Sequence, residues 1–110
     1  MAQIHIVFYS MYGHVWEMAR AVAEGAGEVD GVEVEMFQVE ELVPEDKLKA
    51  SGAWEARQEF AELPVYKPEN FAEADGFIFG TPTRFGNMCA QMRQLFDRTS
   101  CTYTYLLADA

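Results

Sequence analysis

Ile4-His5-Ile6-Val7-Phe8-Tyr9 is a nearly continuous apolar run that passes through Ser10-Met11-Tyr12-Gly13-His14 straight into a segment of helical period. A strand with one wet face alternates apolar and polar residues. One that is apolar at almost every position is buried on both faces, the pattern of a parallel sheet covered by helices. From Gly13 onward Val15, Met18, Ala19, Val22, Ala23 and Ala26 recur at helical spacing, and Gly25 and Gly27 supply the stop. Asp30-Gly31 reads as a turn. Val32, Val34, Met36 or Phe37, and Val39 then alternate with glutamates, as in a strand with one solvated face. Strand, helix and strand in this order predict an α/β fold. His5, inside the first run, is read as a packed or edge residue with no functional role.

Residues 40–70 are less regular. Pro44, Gly52, Pro64 and Pro68 punctuate them, leaving room for a helical turn or two within 45–49 or 54–62. Trp54 and Phe60 have two readings there: a surface excursion packed by its own aromatics, or cover for the sheet's edge or a partner chain. Gly76-Phe77-Ile78-Phe79-Gly80 reads as a second buried strand, Thr81-Pro82-Thr83-Arg84-Phe85-Gly86-Asn87 as a loop, and Met88, Met92, Leu95 and Phe96 as the stripe of a helix over 87–98. The sequence has no internal repeats and no low-complexity segments.

A length of 110 residues fits one small domain, and an apolar half provides for a core. The formal net charge of −10 argues against nucleic acid or an anionic membrane as partner, since both need a basic surface. Residues 30–75 hold 13 acids and 4 bases, so both loops above lie outside the acidic block. Cys89 and Cys101 are too far apart for a CxxC site, and are read as reduced thiols of a cytoplasmic protein without a metal centre. The N-terminus lacks the basic and long apolar segments of a signal peptide, and no run approaches a membrane span.

In a parallel sheet with helical crossovers, ligands sit beyond the carboxyl ends of the strands. Loops 10–14 and 81–87 both leave such ends, and lie close together if their strands are neighbours. The first suits a phosphate: free N–H groups at a helix start, the Ser10 hydroxyl, and Gly13 for close approach. The plainer alternative is an ordinary strand-to-helix turn whose start Ser10 satisfies. In the second loop Pro82 stiffens, Gly86 relaxes, and Arg84-Phe85 sets a cation beside an aromatic able to meet a planar heterocycle. Its plainer alternative packs Phe85 inward and pairs Arg84 with a surface acid. Competing motifs are missing: there is no GxxxxGK[ST], and Gly25-Ala26-Gly27-Glu28-Val29-Asp30 lacks a third glycine and follows a helix. Neither loop holds a hydrolytic triad or a carboxylate pair.

Together, "YSMYGHVWEMARAVAEGA" and "GFIFGTPTRFGNMCAQMRQLFD" closely resemble the WrbA-type flavodoxin-like NAD(P)H:quinone oxidoreductases, over residues 1–98. "VPEDKLKASGA" and the "LPV" segment resemble the linker between that family's second and third strands. The resemblance implies a flavodoxin-like parallel sheet with helices on both faces, of family order 2-1-3-4-5. It implies that Ser10, Met11, Tyr12, Gly13, His14 and Val15 cradle the phosphate of FMN. Thr83, Arg84 and Phe85 would line the isoalloxazine, with Pro82 shaping the loop and Tyr12 near the nicotinamide of NAD(P)H. The implied reaction passes two electrons from NAD(P)H through FMN to a quinone, in a homo-oligomer that is a tetramer in the family.

The resemblance stops after Asp97-Arg98. No counterpart of the family's fourth-strand flavin loop follows, so residues 1–98 are read as the N-terminal part of a flavodoxin-like domain, truncated to about three strands in the order 2-1-3. Residues 99–110 are read as an out-of-family tail, with 101–107 able to form a further strand over the otherwise unpaired edge of strand 76–80. Two further functions stay open: a non-catalytic flavin-binding module that needs a partner chain, and, less favoured by the loop chemistry, a one-electron flavodoxin carrier.

Overall fold

A computed structural model of the chain describes residues 2–108, with side chains described from residue 2 to residue 99. Strand β1 (Ala2–Phe8) is the middle of a three-stranded parallel sheet of order β2-β1-β3, with β2 at Val32–Gln38 and β3 at Gly76–Gly80. The register runs from Ala2 opposite Val32 to Phe8 opposite Gln38 on one side, and from Ile4 opposite Gly76 to Phe8 opposite Gly80 on the other. Ile6, Val7, Phe8 and Tyr9 are at most 2% exposed, as a near-continuous apolar run requires. Helix α1 (His14–Gly27) connects β1 to β2. Between β2 and β3 lie α2 (Glu45–Ser51), α3 (Ala53–Arg57) and two 3-10 turns, Gln58–Phe60 and Pro68–Glu73. After β3 come two short strands, β4 (Thr83–Arg84) and β5 (Asn87–Met88), and helix α4 (Ala90–Ala108).

Alternation along β1 divides the core in two. Ile6 and Phe8 pack with Ala19 of α1 and with Phe60, while Val7 and Tyr9 pack with Phe37, Val39, Tyr66, Cys89, Met92 and Leu95 on the side of α4. Parallel order 2-1-3 with flanking helices is the flavodoxin-like arrangement.

Phe60 departs from the reading of a surface excursion packed by its own aromatics and from that of cover for the sheet's edge. Phe60 is not packed within its own segment or laid over a sheet edge; its ring meets Phe8 at 5.3 Å and Trp16 at 5.4 Å and completes the core between α1 and the sheet. Trp54 stays at the surface beside Lys49, whose ammonium lies 5.0 Å from the ring centroid. β3 is an edge strand rather than a buried one, with Phe77, Ile78 and Phe79 exposed by 37–39%. Among the described residues no strand returns to cover it: the backbone of 101–107 continues α4, because a helix already under way adds residues at one hydrogen bond each. The last two residues of the tail and the Cys101 thiol lie outside what is described. Met88 belongs to β5, so the helix begins three residues later than its stripe suggested.

The α1 stripe is only half covered. Ala19 is buried, whereas Met18 and Val22 are exposed and line, with Ile6, Val15 and Ile78, an apolar groove of about 300 Å³ beside β3. Among the described residues no helix is long and apolar enough to cross a membrane.

Removing the Phe60 ring leaves a cavity between α1 and β1. Phe60→Ala is expected to destabilise the chain by about 3–5 kcal/mol in urea denaturation. A loss below about 1 kcal/mol would mean that the excursion packs on itself after all.

Candidate functional site

The register brings the two loops together. Phe8 lies opposite Gly80 at the carboxyl ends of neighbouring parallel strands, and the Tyr9 N–H donates to the Gly80 carbonyl at 3.0 Å. Loops 10–13 and 81–87 therefore rise side by side from the end of the sheet where α/β proteins place ligands. Across the gap, Arg84 Nη2 lies 3.7 Å from Met11 Sδ.

In the first loop Gly13 takes a left-handed conformation, φ 97° and ψ −5°, that a side chain would strain. It caps α1, whose first hydrogen bond runs from the Glu17 N–H to the Gly13 carbonyl at 3.0 Å. The N–H groups of His14, Val15 and Trp16 consequently have no acceptor within the helix. The Ser10 hydroxyl, 1% exposed, accepts the Gly13 N–H at 3.0 Å. Ser10 therefore shapes the turn, as its plainer reading holds, and has only its own proton left to offer a ligand. Tyr12 and His14 are exposed and, with Gly13, Glu17, Ala56 and Glu59, line an open hollow of about 270 Å³. The two acids there have partners: Glu17 pairs with Arg20 at 2.6 Å, and Glu59 accepts from Trp16 Nε1 at 3.1 Å. Val15 turns its side chain towards Gly80, where an added Cβ would come within 3.2 Å of Cγ1; what it presents to the loop mouth is its N–H.

Residues 81–87 are not an irregular loop. Thr83 pairs with Met88 and Arg84 with Asn87 in an antiparallel hairpin, whose two central residues, Phe85 and Gly86, have φ of 53° and 76°. Two consecutive left-handed residues make the turn that matches strand twist, at the expense of strain at the non-glycine Phe85. The Cys89 N–H donates to Thr81 Oγ1 at 3.2 Å and closes the base of the hairpin. Phe85 points wholly into solvent and Arg84 lies against Met11, so neither feature of the plainer reading is present among the described residues. Pro82 is half-buried and Thr83 exposed.

A buried polar network beneath the first loop has no counterpart in the sequence reading. Arg57, at the end of α3, is 8% exposed; its guanidinium lies between the rings of Tyr9 and Phe60, 5.2 Å from each centroid. It donates to the Ser10 carbonyl and to Gln38 Oε1, and pairs with Glu41 at 3.2 Å. Glu41 also accepts from the Tyr9 hydroxyl at 2.7 Å, from Gln91 at 2.8 Å and from the Leu42 and Val43 N–H groups. Burial pushes the Glu41 carboxyl up, but the Tyr9, Val43 and Gln91 hydrogen bonds and the Arg57 charge outweigh it and hold the group below the usual carboxylate range. Burial first, and then the Glu41 hydrogen bond and charge, push the Tyr9 hydroxyl far above its ordinary value, so it remains a donor. The one available signal was slight: Arg57 is the only arginine within the acidic stretch 30–75. Among the described residues no cluster of three or more His, Cys, Asp or Glu is placed to hold a metal ion.

These residues fit the phosphate end of FMN. A left-handed glycine, outward N–H groups at a helix start and no acid on the loop itself suit an anion. The hairpin beside it offers exposed Thr83, Arg84 and Phe85 to a planar ring.

Comparison with known proteins agrees with this geometry. The sequence model of a family described as NADPH-dependent FMN reductase matches residues 10–109. A protein of Aromatoleum aromaticum named NAD(P)H dehydrogenase (quinone) is 61% identical over 97 residues, covering 88% of this chain and 47% of the relative. Proteins of the same name from Trichlorobacter lovleyi and Methanosarcina acetivorans are 56% and 54% identical, covering 90% and 88% of this chain and 48% of each relative. The chain thus spans about half the length of the curated relatives it matches.

A carboxyl held low in the folded state adds stability above its ordinary pKa and loses it as pH falls through the lowered value. Glu41→Gln is therefore expected to cost about 2 kcal/mol at about pH 7, and to flatten the decline in urea midpoint as pH falls below the ordinary carboxylate range. An unchanged acid limb would show that Glu41 is not held low.

Proposed function

Because this chain belongs to the NADPH-dependent FMN reductase family, we propose that it serves in FMN-dependent NAD(P)H:quinone oxidoreduction, residues 1–98 forming the N-terminal part of a flavodoxin-like domain. The observation that carries this reading is the pairing of Phe8 with Gly80, which sets a helix-start anion loop beside an exposed cationic and aromatic hairpin. When bound, FMN would supply the redox chemistry, the two-electron exchange between NAD(P)H and a quinone.

The chain's own residues bind and orient. The N–H groups of Met11, Tyr12, His14 and Val15 receive the phosphate, with Gly13 allowing close approach and Ser10 holding the turn. Exposed Thr83, Arg84 and Phe85 would line the ring system, with Pro82 shaping their hairpin. Arg84 favours electron-rich forms of the ring through its charge. Exposed Tyr12 offers an aromatic surface to the nicotinamide of NAD(P)H. The functional form in this reading is a cytoplasmic homo-oligomer, a tetramer as in the family.

A second reading, a non-catalytic flavin-binding module that needs a partner chain to complete its sheet, is favoured by one observation. β3 is an edge whose Phe77, Ile78 and Phe79 are exposed, and unpaired apolar edges pair readily.

Titration of the 110-residue chain with FMN, followed by flavin fluorescence, tests both. Saturable one-to-one binding is expected, weakened on the order of tenfold by Arg84→Ala, with quinone reduction driven by NADH or NADPH. Binding without turnover favours the partner-dependent module. A folded chain that does not bind FMN overturns the oxidoreductase reading for this chain.

A further inference from the structure

We propose that Arg57 is a positioning residue for the anion loop, presetting its N–H groups from below; this rests on the FMN-phosphate reading above. Arg57 reaches the loop from the excursion between β2 and β3, 47 residues away in sequence, and donates to the carbonyl of Ser10. A trans peptide is planar, with its N–H opposite its C=O. Holding the Ser10 carbonyl towards Arg57 therefore turns the Met11 N–H to the opposite side of the loop. Three residues on, the Ser10 hydroxyl holds the Gly13 N–H. The loop is fixed at both ends by these two bonds, and Gly13 supplies the left-handed residue that closes it.

The guanidinium is held as firmly as what it holds. The rings of Tyr9 and Phe60 confine its plane, Gln38 takes a further N–H and the Glu41 carboxylate pairs with the charge. This is a task for a rigid fork. A lysine would keep the charge but has no planar set of donors with which to reach Ser10, Glu41 and Gln38 together. Because Glu41 largely balances the charge at 3.2 Å, Arg57 acts on loop geometry and not as a free cation attracting phosphate.

Two measurements on Arg57→Lys and Arg57→Gln test this, with Leu95→Ala, a core truncation on the α4 side, reporting what lowered stability alone does. The first compares affinity for FMN with affinity for riboflavin, which lacks the phosphate. Both Arg57 variants are expected to weaken FMN on the order of tenfold and riboflavin less than about twofold, while Leu95→Ala leaves the ratio unchanged. Equal losses for the two flavins, or full retention of FMN binding by Arg57→Lys, overturn the proposal. The second follows hydrogen exchange of the Gly13 amide in the ligand-free chain, where at least about tenfold acceleration is expected in Arg57→Lys with the β1 amides unchanged. Unchanged exchange overturns the positioning role whatever the flavins do. Accelerated exchange in a chain whose wild type binds neither flavin upholds the positioning role and overturns the FMN reading alone.

Discussion

β1 has parallel partners along both edges, and the side chains of Ile6, Val7 and Phe8, with Tyr9 just after the strand, are withdrawn from water on both faces. A backbone so buried must satisfy its N–H and C=O groups within the sheet, so pairing with β2 and β3 is obligatory. Parallel pairing aligns the carboxyl ends, and Phe8 is locked opposite Gln38 on one side and Gly80 on the other. The loop into α1, the entry to the excursion and the hairpin after β3 all leave from that one end. The candidate site is a geometric consequence of how β1 is buried.

The excursion repays its length by closing this end from beneath. Gln38, at the end of β2, donates to the carbonyls of Phe60, Ala61 and Leu63 and accepts from Arg57. Glu41 connects Arg57 to Tyr9 and to Gln91 in the first turn of α4. Taking two charges out of water costs several kcal/mol each, and their attraction offsets this only when the remaining polar atoms are also satisfied. Here they are: no buried side-chain nitrogen or oxygen among the described residues lacks a hydrogen-bond partner. The pair and its hydrogen bonds connect four segments: the end of β1, the end of β2, α3 and α4. Exposed pairs such as Arg98 with Glu40, at 3.0 Å, contribute at most about 1 kcal/mol.

The opposite edge of the sheet is organised differently. Phe79 stacks with Phe71, Phe77 meets Phe71 at a tilt, and Phe79 meets Phe96, so aromatic packing partly covers the α4 side of β3. On the α1 side Ile78 faces the open groove with Met18 and Val22. An apolar edge beside an apolar groove leaves this flank of the α/β unit incompletely covered among the described residues.

The alternation of β2, the unbroken apolar run of β1 and the glycine stop of α1 were legible because each depends on neighbours within a few residues. The Ser10–Gly13 turn was legible for the same reason, as were the strings that carry the family resemblance. The hairpin at 83–88 was missed because Phe85 adopts a left-handed conformation that its own chemistry disfavours. Arg57 was missed because its partners, Ser10, Gln38 and Glu41, lie 16 to 47 residues away and carry no shared pattern. By itself the sequence determined the α/β class, the strand–loop–helix unit around Gly13 and the identity of the two candidate loops. Only the tertiary structure decided that those loops stand side by side, that Phe60 belongs to the core, and that a buried arginine donates to the Ser10 carbonyl. Periodicity reports which face of an element avoids water, whereas a buried charge is satisfied only by groups that folding brings to it.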